Sequence, residues 1–227
     1  MEGAEINPSF EGDADLEKKK LKEKIKEILD FPLFDFKEKP DINIDPKSFY
    51  DSNPSLEEKV KFLEENYTFT DASKHALAEL CFVIIREQPA FDSSFIFSDE
   101  DSLNNFLDLI KNTGVMAELI DKQKIMGKLA TKINFARKEG DLEKMKSLEK
   151  GSLSYGKYSK AYGELMGFPE TAIQAYLGET ERLKIVDKQK SKGYGQFVYS
   201  KEHAEEEQTY FMDRNTKLKE YAPQLFE

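Results

Sequence analysis

His203, Glu206 and Glu207, in the run SKEHAEEE, stand at i, i+3 and i+4, so on a helix all three share one face. An imidazole beside two carboxylates can hold a metal ion or exchange protons as acid and base. A solvent-facing polar stripe is the plainer reading, because acids in a first helical turn suit the helix dipole. With two histidines and one cysteine in the chain, no zinc site is expected and no metal ligands are assigned. The sequence holds no G-x-S-x-G elbow, no GxxxxGK[ST] phosphate loop and no H-E-x-x-H. Gly193-Tyr-Gly195 is too short for a glycine-rich phosphate fingerprint and reads as a hairpin. His75 opens an apolar run that also carries Cys81, and both read as structural. No catalytic residue or cofactor is assigned, and an enzyme with a site near His203 and Glu207 ranks third among the functional readings.

The leading reading rests on charge. The chain is acidic, with 34 Lys+Arg against 44 Asp+Glu in 227 residues, net −10. Residues 125–200 reverse that sign, with 14 basic and 9 acidic side chains. Tyr155, Tyr158, Tyr162, Tyr176, Tyr194, Phe197 and Tyr199 interleave with these cations, a pattern that can stack bases and neutralise phosphates. On this reading the chain binds nucleic acid or a ribonucleoprotein through residues 128–199. Lys128, Lys132, Lys157, Lys160, Arg182 and Lys192 would contact phosphates, and Thr171 and Gln174 would reach base edges. Solvated lysine faces and half-buried tyrosine spacers explain the same composition more plainly.

The strongest local pattern is YGELMGFPETAIQAYL (162–177), two helical runs around a turn at Gly167-Phe168-Pro169. Its spacing resembles a helix-turn-helix, with Gly163 where the helices would approach and Leu165, Ile173 and Leu177 at core positions. Glu170 and Glu179 would oppose a phosphate backbone, a departure from that pattern. Gly167, Phe168, Pro169, Thr171, Ala172 and Ile173 also match a G-(Phe/Tyr)-P-x-(Thr/Cys)-(Ala/Cys)-(Ile/Val) motif. On it the chain resembles small uncharacterised bacterial proteins over roughly residues 75–225. That resemblance implies a shared fold and carries no activity; where some relatives place cysteines, this chain has Thr171 and Ala172.

The positioning elements follow from periodicity. Residues 1–14 read as a flexible tail and 15–54 as an amphipathic helix plus a Pro/Phe-rich connector. Residues 55–227 read as a single α+β domain. Leu21, Ile25, Ile28 and Leu29 form the stripe of the first helix, and Ser55 with Glu58 has capping-box spacing ahead of a second. Residues 76–88 favour helix, although their β-branched stretch also fits a strand. Strands are expected over 90–97, 115–121 and 128–137, with KQK as a turn. Helices are expected over 99–113, from Gly140 and from Tyr158, then after Pro169, Thr180 and Ser200. The fold class is therefore α+β: a small sheet of about three strands covered by helices, with a mostly helical C-terminal half and a helix-turn-helix-like αα-hairpin. A protein–protein adaptor docking through residues 15–54 ranks second. No apolar run suits a membrane span and no signal-peptide order opens the chain, so a cytoplasmic location without membrane contact is expected.

Overall fold

The computed structural model describes residues 9–39, 55, 58, 61–62, 65–71, 74–151, 154–183, 194 and 198–227. The first helix, α1 (Ser9–Leu29), begins inside the segment read as a tail. Its apolar stripe is buried: Ile25 and Ile28 have no exposed surface. Strand β1 (Phe34–Glu38) follows directly. At the next expected helix, the Ser55 backbone N–H donates to Glu58 at 2.8 Å and the Glu58 N–H returns to Ser55 Oγ at 3.3 Å, the reciprocal bonds of a capping box. Strand β2 (Tyr67–Asp71) precedes α2 (Lys74–Ile84), in which every residue from Ala76 to Ile84 is buried. The residues left open between helix and strand thus take the helical form, wrapped on all sides.

Strand β3 (Ala90–Phe97) leads into α3 (Glu100–Lys111), capped by Asp99, whose carboxylate accepts from the Ser102 N–H at 2.8 Å. The hairpin β4 (Met116–Ile125) and β5 (Lys128–Ala136) turns at Met126 and Gly127, both at positive φ (49° and 75°). The expected KQK turn is therefore strand, because the positive-φ pair a two-residue hairpin needs lies further on. Helices α4 (Glu139–Glu149), α5 (Tyr155–Leu165), α6 (Glu170–Leu177) and α7 (Ala204–Tyr221) complete the set, with a 3₁₀ turn at Pro223–Phe226. Residues 180–183, where a helix is expected to start, are not helical: Arg182 bridges Ser200, and the remainder of that expected helix lies outside the described residues. Ser200 is buried in that bridge, and its hydroxyl accepts from the N–H of His203, the residue that immediately precedes α7.

The sheet corrects the three-strand expectation. Five described strands lie in the order β2-β1-β3-β5-β4, every pair antiparallel. The α+β class stands; the small sheet does not. Both missed strands are five residues long and polar on alternate positions, and they gain their pairing from each other across about thirty residues of chain. Local pattern carries little of such a signal.

Cross-strand partners share a face, and Phe91–Phe135 and Phe97–Leu129 place the aromatic face of β3 and β5 toward the main core. There Phe95, Phe97 and Phe106 meet with ring centroids 5.3–6.4 Å apart. Helices α1, α2 and α3 contribute to this core, and α7 adds Leu218. A smaller cluster on the opposite face joins Ala90 and Ala136 to Met145, Leu148 and Leu165 of α4 and α5.

Candidate functional site

The cations expected to meet phosphates are scattered, and most are already engaged. Lys128 Nζ lies 4.1 Å from the centroid of the Phe34 ring. Lys132 Nζ is 3.5 Å from Asp92, which also accepts the Tyr162 hydroxyl at 3.1 Å. Burial first, and the Asp92 charge second, push the Tyr162 hydroxyl well above its ordinary value. Lys160 pairs with Glu170 at 3.1 Å, a hydrogen bond that holds its ammonium above the usual lysine range. Arg182 donates to the carbonyls of Ala175 and Tyr176 and covers the Tyr176 ring, closing the end of α6. Lys157 is exposed, with no hydrogen bond or ion pair to any described residue. Lys192 lies outside the described residues.

The two residues expected at base edges are spent internally. Thr171 donates its hydroxyl to Glu207 at 2.6 Å, and Gln174 donates to Glu170 at 3.4 Å. The αα-hairpin does form, and a Cβ on Gly163 would lie 2.9 Å from Ile173 Cγ1, so glycine there allows α5 and α6 their close approach. Gly167 is tied to a different neighbour. Its φ is +70°, and a Cβ would come within 3.1 Å of the Glu87 carbonyl oxygen. Tyr210 donates its hydroxyl to the Gly167 carbonyl from α7. The motif's turn therefore docks on the chain just after α2.

The His203 set separates. Glu207 is buried at 2 % exposure, its second oxygen accepting from the Ser200 N–H at 2.7 Å, while His203 Nδ1 faces Glu206 at 3.2 Å on the outside. One side chain points into the protein and the others away, so the three converge on no common ligand. Among the described residues no group of three or more His, Cys, Asp or Glu is arranged to hold a metal ion. Cys81 is fully buried in α2, and burial pushes its thiol up to about 12.

Another part of the surface gathers charge. A cleft of about 720 Å³ opens between α1, the end of α2, the α3–β4 turn and the end of α7. Helix α1 lines it with Lys18, Lys20 and Lys24, and with Asp15 and Glu17. Arg86 and Arg137 close the far side. Five cations thus meet two carboxylates in a chain whose total charge is −10. Lys18 is committed to Glu220, and Lys24 donates to the Asn112 carbonyl, a neutral partner that leaves its charge uncompensated. Arg137 Nη1 donates to the Ile84 carbonyl at 2.7 Å, and its Nη2 lies 3.9 Å from where a Gly114 Cβ would stand. Burial, and after it the charge of Arg86, hold Arg137 below the ordinary arginine value. Neither arginine forms an ion pair with any described carboxylate. Leu21, Ile85 and Tyr221 supply an apolar wall.

The backbone that presents Arg86 is unusual. The Arg86 N–H bonds the Val83 carbonyl at 3.2 Å and the Glu87 N–H bonds the Phe82 carbonyl at 2.8 Å, the paired bonds of a Schellman stop. That stop needs a left-handed residue, and Arg86 takes it at φ +68°. After α3, α4, α5 and α6 the left-handed position is filled by Gly114, Gly151, Gly167 and Gly178. A left-handed side chain costs about 1 kcal/mol or more against glycine. The turn is also held from outside. Arg214, buried in α7, donates to Gln88 at 2.9 Å with its guanidinium 4.4 Å from the Phe82 ring centroid, and Lys217 pairs with Glu87 at 2.8 Å. Sequence reading missed Arg86 and Arg137. The one available signal was a helix running into Ile85-Arg86-Glu87-Gln88 with no glycine to stop it.

No family model matches the chain, and comparison with curated proteins and with solved structures finds no match. No described helix is long and apolar enough to cross a membrane.

Proposed function

We propose that this protein binds a small anionic ligand in the cleft beneath α1, with Arg86 and Arg137 as the charged contacts. The observation that carries this reading is Arg86: a charged side chain at a left-handed helix stop, beside a second arginine, with no anion from the described residues between them. Strained backbone is retained where the side chain it presents is used. The cleft volume falls within the range of small-molecule sites, and a few convergent charges on an apolar wall are how such sites fix orientation.

Engagement of nucleic acid through residues 128–199 has less support, because Lys128, Lys132, Lys160 and Arg182 already have partners. Docking of a partner through residues 15–54 also has less, because the apolar stripe of α1 is buried in this chain and β1 is paired within the sheet. Calorimetric titration with citrate, beside anisotropy of labelled single-stranded RNA, separates the readings. The anion reading expects citrate to bind the wild type and to bind Arg86→Gly at least tenfold more weakly. RNA binding that survives Arg86→Gly and is abolished by Lys157→Glu with Lys160→Glu would overturn it in favour of the basic segment.

A further inference from the structure

We infer that the ligand is a phosphomonoester: a dianionic head between Arg86 and Arg137 and an apolar body against Leu21, Ile85 and Tyr221. This inference rests on the anion-binding reading and goes further by naming the chemical class. Arg86 and Arg137 bring two guanidinium charges to one end of the cleft, and no described carboxylate pairs with either. A monocarboxylate would compensate one of them and leave the other facing it. A phosphate carries nearly two charges at neutral pH and three acceptor oxygens, and it matches the donor fork of arginine in a bidentate contact.

The rest of the cleft argues for a body behind that head. A bare phosphate ion would fill a small fraction of about 720 Å³. Tyr221 sits at the edge with the ammonium groups of Lys18 and Lys22 each 5.8 Å from its ring centroid, so the ring is already fixed in place. A flat or aliphatic group entering beside it would bury apolar surface without ordering a loose side chain.

Two groups of titrations test this. At about pH 7.5, acetate, inorganic sulfate, inorganic phosphate and phenyl phosphate are compared by calorimetry on the full chain. Sulfate and phosphate are expected to bind at least tenfold more tightly than acetate, and phenyl phosphate tighter again by about tenfold. The second group lowers the pH. A phosphomonoester loses its second charge near pH 6, so affinity for phenyl phosphate should fall about tenfold by pH 5 while sulfate, a dianion throughout, is unchanged. The ionisable groups facing the ligand are the carboxylates and lysines of α1, the two arginines and Tyr221; no histidine lines the cleft. Arg86→Lys, which keeps the charge and loses the fork, should weaken phenyl phosphate several-fold.

Acetate binding as tightly as phosphate would overturn the dianionic head, and phenyl phosphate no tighter than phosphate would overturn the apolar body. Both outcomes leave the anion-binding reading standing. Failure of every anion, citrate included, to bind the folded wild type would remove that reading and this inference together.

Discussion

At the residue scale, Arg86 sets stability against use. Replacing it with glycine relieves the left-handed strain, so Arg86→Gly should raise unfolding free energy by about 0.5–1 kcal/mol while abolishing anion affinity. Urea denaturation reads the first and titration the second; a variant that loses stability would show that the side chain serves the fold. Glu207 is the opposite case. Buried and holding both Thr171 and Ser200, it should cost about 2–4 kcal/mol when changed to alanine, because two donors lose their acceptor. Native stability unchanged in Glu207→Ala would refute that role. Cys81 should resist iodoacetamide in the folded protein and react on unfolding, because burial moves its thiol from 9.0 to about 12. A folded-state value raised above the unfolded one stabilises below about pH 9, so this contribution fades as pH rises beyond it. Rapid labelling at pH 8 without loss of structure would contradict the burial. Of these three roles only that of Cys81, read as structural on its apolar face, was legible in the letters: the His203 and Glu207 spacing suggested shared chemistry, but only the packing of α7 decides which carboxylate turns inward.

At the element scale, the helices were the most readable parts, because each carries its own period and stop signal. The stripe Leu21, Ile25 and Ile28, the capping box at Ser55 and Glu58, and the stops at Gly114, Gly151, Gly167 and Gly178 all depend on neighbours within a few residues. Strands β1 and β2 depend on each other instead, and β1 sits where four prolines argue for a connector. The αα-hairpin joins both kinds of information. Its glycines were legible, but the reason for Gly167 lies in the α2–β3 turn, distant in sequence. Gly163→Ala should cost about 1–3 kcal/mol by driving a methyl into Ile173, whereas Gly178→Ala, in open space, should cost only about 1 kcal/mol of backbone strain. Equal losses in the two variants by denaturant titration would mean that close packing of α5 on α6 does not limit the hairpin.

At the scale of the whole molecule, α1 is part of the core and one wall of the cleft. Deleting residues 1–30 removes Ile25 and Ile28 from the main core, each worth about 1.5–3 kcal/mol of burial, and opens the site. The truncated chain should melt well below the full one and lose anion binding; an unchanged melting temperature would mean that α1 packs only loosely. Among the described cations of residues 125–200, Lys132, Lys144, Lys146 and Lys160 pair with Asp92, Asp141, Glu118 and Glu143, and Glu170 respectively. The uncompensated positive charge instead comes from α1, the end of α2 and the end of β5, three segments far apart in sequence. A linear charge count does not register a site assembled that way.

The most direct test is to map amide chemical shifts of the ¹⁵N-labelled protein during titration with phenyl phosphate. The largest changes are expected on residues 84–86, 112–114 and 137 and on the facing turns of α1, and they should vanish in Arg86→Gly. Changes concentrated instead on residues 154–183, or none at all in the folded wild type, would contradict binding in the cleft.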